Sequence, residues 1–282
     1  MARYLRYFIL ICAVFQLLNV RAAIASSSNP KEKLIITGTG SGIGAMQLMA
    51  RAFQKKKPAA VIEVLPSIGS TGGIKAVSED RIDIGLSYRP VKPEERKKDM
   101  IEEPYARTAF IFGAQASNPA RGLRLTEIEE IYACKRRNWD DGMPIRFILR
   151  PLSDGLSEYL AGISPGLKWA AVKARSTPGV FVGMTDQEAA TQIEKTPGSF
   201  GITTASLVMA EKRRIKALAI DGVAPTLDHV SNGRYPYALT LYLICKRDKD
   251  EIRDFIEFIF SDDGRSLLAE NGHITLLRVT KK

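Results

Sequence analysis

The chain has 282 residues, with 41 Lys and Arg against 31 Asp and Glu, a formal charge of +10. Three cysteines, two histidines and no CxxC pair leave nothing from which to build a zinc cluster. The basic residues are scattered, and Lys55–Lys57, Lys135–Arg137 and Lys212–Arg214 read as solvated helix ends, so nucleic acid is not the expected partner, while the positive field favours a small anion.

At the N-terminus, Arg3 and Arg6 precede an apolar run from Tyr7 to Val20, and Ala23-Ile24-Ala25 has the A-x-A cleavage pattern. Residues 1–25 are expected to be a secretory signal, removed after Ala25. The rival is a membrane anchor, but the run is shorter than the roughly 20 apolar residues a span requires. Cys12 lacks a Leu-Ala-Gly-Cys context, so lipidation is not expected. Arg3, Arg6 and Arg21 leave with a segment that holds no acid, so the exported chain carries +7, three less than +10. Cys134 and Cys245 remain and are expected to be two buried thiols rather than a disulfide.

The exported part alternates strand and helix. A strand at 34–37 runs into Gly38-Thr39-Gly40-Ser41-Gly42 and a helix from 43 to 56. A strand at 61–65 runs into Pro66-Ser67-Ile68-Gly69-Ser70-Thr71-Gly72-Gly73 and a helix from 72 to 79, followed by a strand at 82–87. Tyr105 to Ala114 is a further apolar segment, punctuated by Ser117-Asn118-Pro119. A second unit has a helix at 126–134, a strand at 145–149, a helix at 154–161, a helix after Thr185-Asp186 and a strand at 201–204. Gly233-Arg234-Tyr235-Pro236 leads into a strand at 240–245, a helix at 250–260 and a helical turn opened by Ser261-Asp262-Asp263-Gly264. Such alternation predicts α/β layers with largely parallel strands. The length accommodates two lobes, with the chain crossing between them near 110–116 and returning near 235–240.

The two Gly/Ser/Thr turns bare backbone N–H groups and hydroxyls at helix N-termini, so they form a pair of loops suited to one small anion. Thr37-Gly38-Thr39-Gly40-Ser41-Gly42-Ile43-Gly44 also matches the fingerprint of short-chain nicotinamide dehydrogenases. Against that reading, export removes the chain from the nicotinamide pool. The Tyr-x-x-x-Lys pair occurs only as Tyr88 to Lys92, across Pro90, and no acid ends the second strand to hold a ribose. His229 and His273 belong to no Ser/His/Asp array, and surface or capping roles are expected for both.

Ile68 to Lys75, followed by Asp83-Ile84-Gly85-Leu86-Ser87, resembles the phosphate-binding component of bacterial ABC transporters, a PstS-like family of the type II periplasmic binding proteins. Arg234 to Tyr237, Ser261 to Gly264, Asn271-Gly272-His273-Ile274 and Pro197 to Gly201 extend the resemblance over nearly the whole exported chain. It implies a two-lobed α/β fold, each lobe a mixed sheet flanked by helices, joined by two crossover hinge strands. Lobe I would comprise 30–113 and 236–282, and lobe II 114–235. It also implies a monomer that binds phosphate in the interlobe cleft and delivers it to the transmembrane subunits of a permease, in the periplasm, with no cofactor, no metal and no catalysis.

Carried over by position, the first-loop contacts fall at Ser41, Gly42 and Ile43 and the second at Ser70 and Thr71. Arg150 would be the charged clamp, with Ser153 and the Gly155 N–H capping a helix over the anion. The chain departs from the pattern twice. Tyr88, followed by Arg89, stands where many phosphate binders carry an Asp that accepts the ligand's proton, and Asp154 stands where a ligand-contacting hydroxyl is expected. Arg89 and Asp154 are therefore included as ligand-binding candidates, and sulfate, molybdate and tungstate remain alternative anions, as sensing or scavenging remains an alternative to transport.

Overall fold

Ile84–Ser87 and Ser199–Thr204 are buried at every position, the pattern of strands covered on both faces. A computed structural model, which describes residues 33–177, 180–246 and 249–278, assembles them with their neighbours into a ten-stranded sheet. The first unit is β1 (Lys33–Gly38), α1 (Gly40–Lys56), β2 (Val61–Val64), α2 (Gly69–Ser78) and β3 (Ile84–Ser87). The long strand β4 (Ile101–Gln115) leads through β5 (Gly122–Leu123) and α3 (Leu125–Tyr132) to β6 (Arg146–Leu149), α4 (Gly155–Ile163) and α5 (Pro165–Ala174). Next come β7 (Phe181–Val182), α6 (Asp186–Lys195), β8 (Ser199–Thr204), α7 (Ala205–Ala210), β9 (Ile215–Ala217), β10 (Ala219–Ile220) and α8 (Leu227–Ser231). The chain ends with β11 (Ala238–Cys245), α9 (Asp250–Phe260), α10 (Asp262–Glu270) and β12 (Ile274–Thr275). The expected signal at 1–25 lies outside the described residues. Among the described residues no helix is long and apolar enough to cross a membrane.

The strand order is β2-β1-β3-β11-β4-β8-β6-β7, with β12 and β9 also on β4. Strand β4 serves both lobes: residues 101–109 pair with β11, and 110–114 with β8. The two crossing strands meet where β4 changes partner, with Ala238 opposite Ala109 and the Phe110 N–H donating to Tyr237 O at 3.0 Å. Each lobe has its own aromatic packing. Phe53 of α1 meets Phe255 of α9 at 5.4 Å, while Phe112 stacks on Phe200 at 5.7 Å with Tyr132 and Trp139 tilted against it. Rings of this size carry much of the apolar area removed from water.

Several expectations change. The sheet is mixed rather than largely parallel, because β11 runs antiparallel to β3 and β4, and β4 antiparallel to β8. Helices α1 and α2 begin at Gly40 and Gly69, three residues before the expected starts at 43 and 72. Glycine and serine have low helix propensity, but packing against the sheet overrides it. Gly38 ends β1 at φ +146°, and a Cβ there would lie 2.1 Å from Leu86 O, so only glycine permits β1 to turn into α1 beside β3.

Helices α5 and α7 have no counterpart among the expectations, although Ser164-Pro165 is a legible start: Ser164 Oγ caps the Leu167 N–H at 3.0 Å. Cys134 lies after α3 with Sγ 3.3 Å from Thr177 Oγ1, and Cys245 is buried in β11; no disulfide joins them. His229 sits in α8. His273 is buried rather than at the surface, and its Nδ1 lies 3.2 Å from Leu268 O near the end of α10; burial pushes its pKa down to about 4.

Candidate functional site

Helix N-termini leave backbone N–H groups without intrahelical partners. The starts of α2 and α4 face each other across a cleft of about 290 Å³. One wall is Ser67–Thr71 with Tyr88, Arg89 and Lys92; the other is Arg150, Pro151, Ser153–Gly155, Glu158, Met184 and Thr185. Ligands of open α/β sheets bind outside the carboxyl ends of the strands, and this cleft lies beyond the ends of β3 and β6.

Arg150 follows β6 and is 3 % exposed. Its Nη1 donates to Gly183 O at 2.7 Å and its Nη2 to Asp154 Oδ2 at 2.8 Å; Nη2 also lies 3.2 Å from Asp186 Oδ1. The Nε–H has no partner. One guanidinium thus stands between two carboxylates, the compensation a buried charge needs.

Asp154 is the N-cap of α4, its Oδ1 accepting the Leu156 N–H at 3.1 Å. That corrects the expectation that Ser153 caps this helix: Ser153 is exposed, and only the carboxylate at 154 both caps the helix and meets Arg150 four residues away. The Gly155 N–H faces the Tyr88 hydroxyl rather than standing open over the cleft, and a Cβ at Gly155 would lie 2.3 Å from that oxygen. The two walls touch there. Burial, with Asp154 and Asp186 nearby, pushes the Tyr88 phenol well above its ordinary range.

On the facing wall, Ser70 Oγ accepts the Tyr88 N–H at 3.2 Å and Thr71 Oγ1 accepts from Arg89 Nη2 at 2.9 Å. Arg89 is held by Glu95 through two bonds of 2.7 and 2.6 Å. That pairing raises the Arg89 pKa and holds the Glu95 carboxyl below the usual range, so the charge of Arg89 is largely balanced within its own wall.

Ser41, Gly42 and Ile43 do not line this cleft. They lie in the first turn of α1 because that helix starts early. Ser41 is buried with its Oγ unpartnered, Gly42 N–H donates to Thr39 O at 3.1 Å, and Ile43 joins the core. Asp186 lies between them and Arg150. Its Oδ2 is 3.4 Å from Thr39 Oγ1, and a Cβ on Gly40 would fall 2.6 Å from the same oxygen. Burial pushes this carboxyl up to about 6; Arg150 opposes, Asp154 adds to the rise, and the Gly40 and Ser41 N–H groups pull it back down.

Sequence reasoning placed Ser70, Thr71, Arg89, Arg150, Ser153, Asp154 and Gly155 around one site, and all seven line the cleft. It missed Asp186. Thr185-Asp186 was legible only as a helix start, which it is, with Thr185 Oγ1 accepting the Glu188 N–H. Nothing in the sequence ties Asp186 to Thr39, 147 positions away. The Tyr88 to Lys92 segment is bent and irregular rather than helical, so it does not present the pair a dehydrogenase uses.

Residues 23–263 match the family model described as a PBP superfamily domain. Protein SphX of Synechococcus elongatus is 27 % identical over 288 residues, covering 90 % of this chain and 83 % of that one. The phosphate-binding protein PstS of Bacillus subtilis is 27 % identical over 280 residues, covering 91 % and 87 %. The X-ray structure of a substrate-binding protein from Clostridium perfringens, with bound phosphate, superposes with a TM-score of 0.73 at 25 % identity, covering 87 % of this chain and all of that one.

Proposed function

This chain belongs to the PBP superfamily, and on that premise we propose that it is an exported solute-binding protein that captures phosphate in the cleft and passes it to an ABC permease. One observation carries the reading: a buried Arg150 closes a cleft walled by the N-termini of α2 and α4, a donor set suited to a dehydrated oxyanion. The names of the PstS and SphX relatives and the phosphate in the Clostridium perfringens structure support it. Ser70, Thr71 and Arg89 hold the anion from one wall and Arg150 and Ser153 from the other; Asp154 accepts a proton the anion carries, and Gly155 sets the closest approach of the two walls. Lobe I is 30–113 with 236–282 and lobe II is 114–235. The exported chain acts as a periplasmic monomer and performs no chemistry on its ligand.

Calorimetric titration tests this. Phosphate binds one site in the wild type, and Arg150→Ala weakens binding by about 2–5 kcal/mol, the scale for removing one partner of a buried charge pair. Saturation at 100 times the dissociation constant adds about 2.7 kcal/mol to stability. Tighter binding of sulfate, molybdate or tungstate transfers the reading to that anion. Failure of all four to bind removes it.

A further inference from the structure

The start of α1 is already occupied by a carboxylate of this chain. The Asp186 side chain is fully buried, faces the Gly40 and Ser41 N–H groups, approaches the Thr39 hydroxyl at 3.4 Å and lies 3.2 Å from Arg150 Nη2. Helix N–H groups, a hydroxyl and a guanidinium are the donors an oxyanion seeks. The seat is shaped for this occupant, because any side chain at position 40 would collide with Asp186.

The fit is nevertheless incomplete. Asp186 Oδ1 has no hydrogen-bond partner, and neither does Ser41 Oγ or Arg150 Nε; all three atoms are buried. A planar carboxylate offers two oxygens, whereas a tetrahedral oxyanion offers four in other directions. The unpartnered donors on Ser41 and Arg150 are what such a ligand would gain. The turn that leads into α6 and Asp186 is fastened further by Arg150 Nη1 donating to Gly183 O at 2.7 Å, the Gly183 N–H donating to Leu149 O at 2.9 Å, and Gln187 Nε2 donating to Gly40 O at 3.1 Å and Glu211 Oε1 at 2.8 Å.

We infer that Asp186 is a tethered competitor: its carboxylate occupies the oxyanion seat at the start of α1, and phosphate reaches Gly40 and Ser41 only when the turn from Gly183 into the first residues of α6 withdraws. This rests on the phosphate reading and adds an internal rival to it. An occupant that must leave lowers the apparent affinity by the fraction of molecules in which the seat is open.

Titration with inorganic phosphate and with sulfate tests the inference on the wild type, Asp186→Asn and Gln187→Ala. The Asn variant keeps the shape of the turn and loses its charge; the Ala variant keeps the carboxylate and cuts the Gln187 fastenings. Phosphate binding tightens in both, more in the Asn variant, by roughly 5–150-fold, the span of ordinary coupling between sites. Sulfate gains in the same direction, because the rival is removed for any oxyanion. If Asp186→Asn does not fold, Gln187→Ala decides alone. Wild-type phosphate binding with no gain in either variant sinks the inference and leaves the function intact. Weaker phosphate with tighter sulfate in the Asn variant also overturns it, because Asp186 would then be accepting the ligand's proton. Uptake of neither anion by any of the three proteins removes the phosphate reading and this inference together.

Discussion

Asp186 holds its proton far above the ordinary carboxylate range. Folded, it keeps its proton up to about pH 6; unfolded, it releases it near the ordinary 3.8. Between those values the native state binds more protons than the unfolded chain, so its contribution to stability is complete at low pH and is lost as pH rises through 6. The groups facing it are Arg150 beyond β6, Asp154 at the start of α4 and Tyr88 beyond β3, and the raised phenol stays protonated across this window. Without phosphate, urea denaturation from pH 4 to 7 is expected to show the wild type losing stability relative to Asp186→Asn, while His273, whose lowered pKa adds stability as pH rises, shifts both proteins alike. The variant should gain on the order of 3 kcal/mol relative to wild type by pH 7. Parallel pH profiles for the two proteins would refute the assignment. Ser70 and Thr71 are legible in a Gly/Ser/Thr turn that opens a helix, and Arg150 and Asp154 through the resemblance to the phosphate-binding family. Asp186 has neither, and its role comes from a contact only the folded chain makes.

At the scale of elements, periodicity located the seven longest strands and most helices, but not the two- and three-residue strands β5, β7, β9, β10 and β12, nor where helices begin. The glycines at 40, 42 and 69 read as loop, yet they lie in the opening turns of α1 and α2. Close packing explains the early starts: a Cβ at Gly73 would approach Gly38 Cα to 2.9 Å, so α2 settles onto the end of β1 only because both residues lack side chains. Gly38→Ala is therefore expected to destabilise lobe I, adding a strained φ, worth about 1–3 kcal/mol, to overpacking of similar size. Thermal unfolding of the variant measures this. A midpoint equal to wild type would mean that β1 and β3 separate easily at this point.

For the whole molecule, alternation identified the α/β layers but could not give strand direction, since the antiparallel placement of β11 depends on a return crossing from the other lobe. The walls of the cleft meet where Gly155 lies under the Tyr88 hydroxyl, which makes closure testable. Gly155→Ala is expected to hold the walls apart, costing about 1–3 kcal/mol of overpacking if the lobes are forced shut. Small-angle scattering in saturating phosphate should give a larger radius of gyration for the variant than for the wild type. Equal radii would show that the contact does not limit closure.

The two strands that pass between the lobes are not separate cords. They are hydrogen-bonded to each other at the crossing, through Ala109 with Ala238 and Phe110 with Tyr237. A pair of cords would let one lobe slide, tilt or spin against the other, whereas a two-stranded ribbon resists shear and bends about one axis. The cleft therefore has essentially one way to open, and a partner that pulls on either edge of its mouth works the same lever.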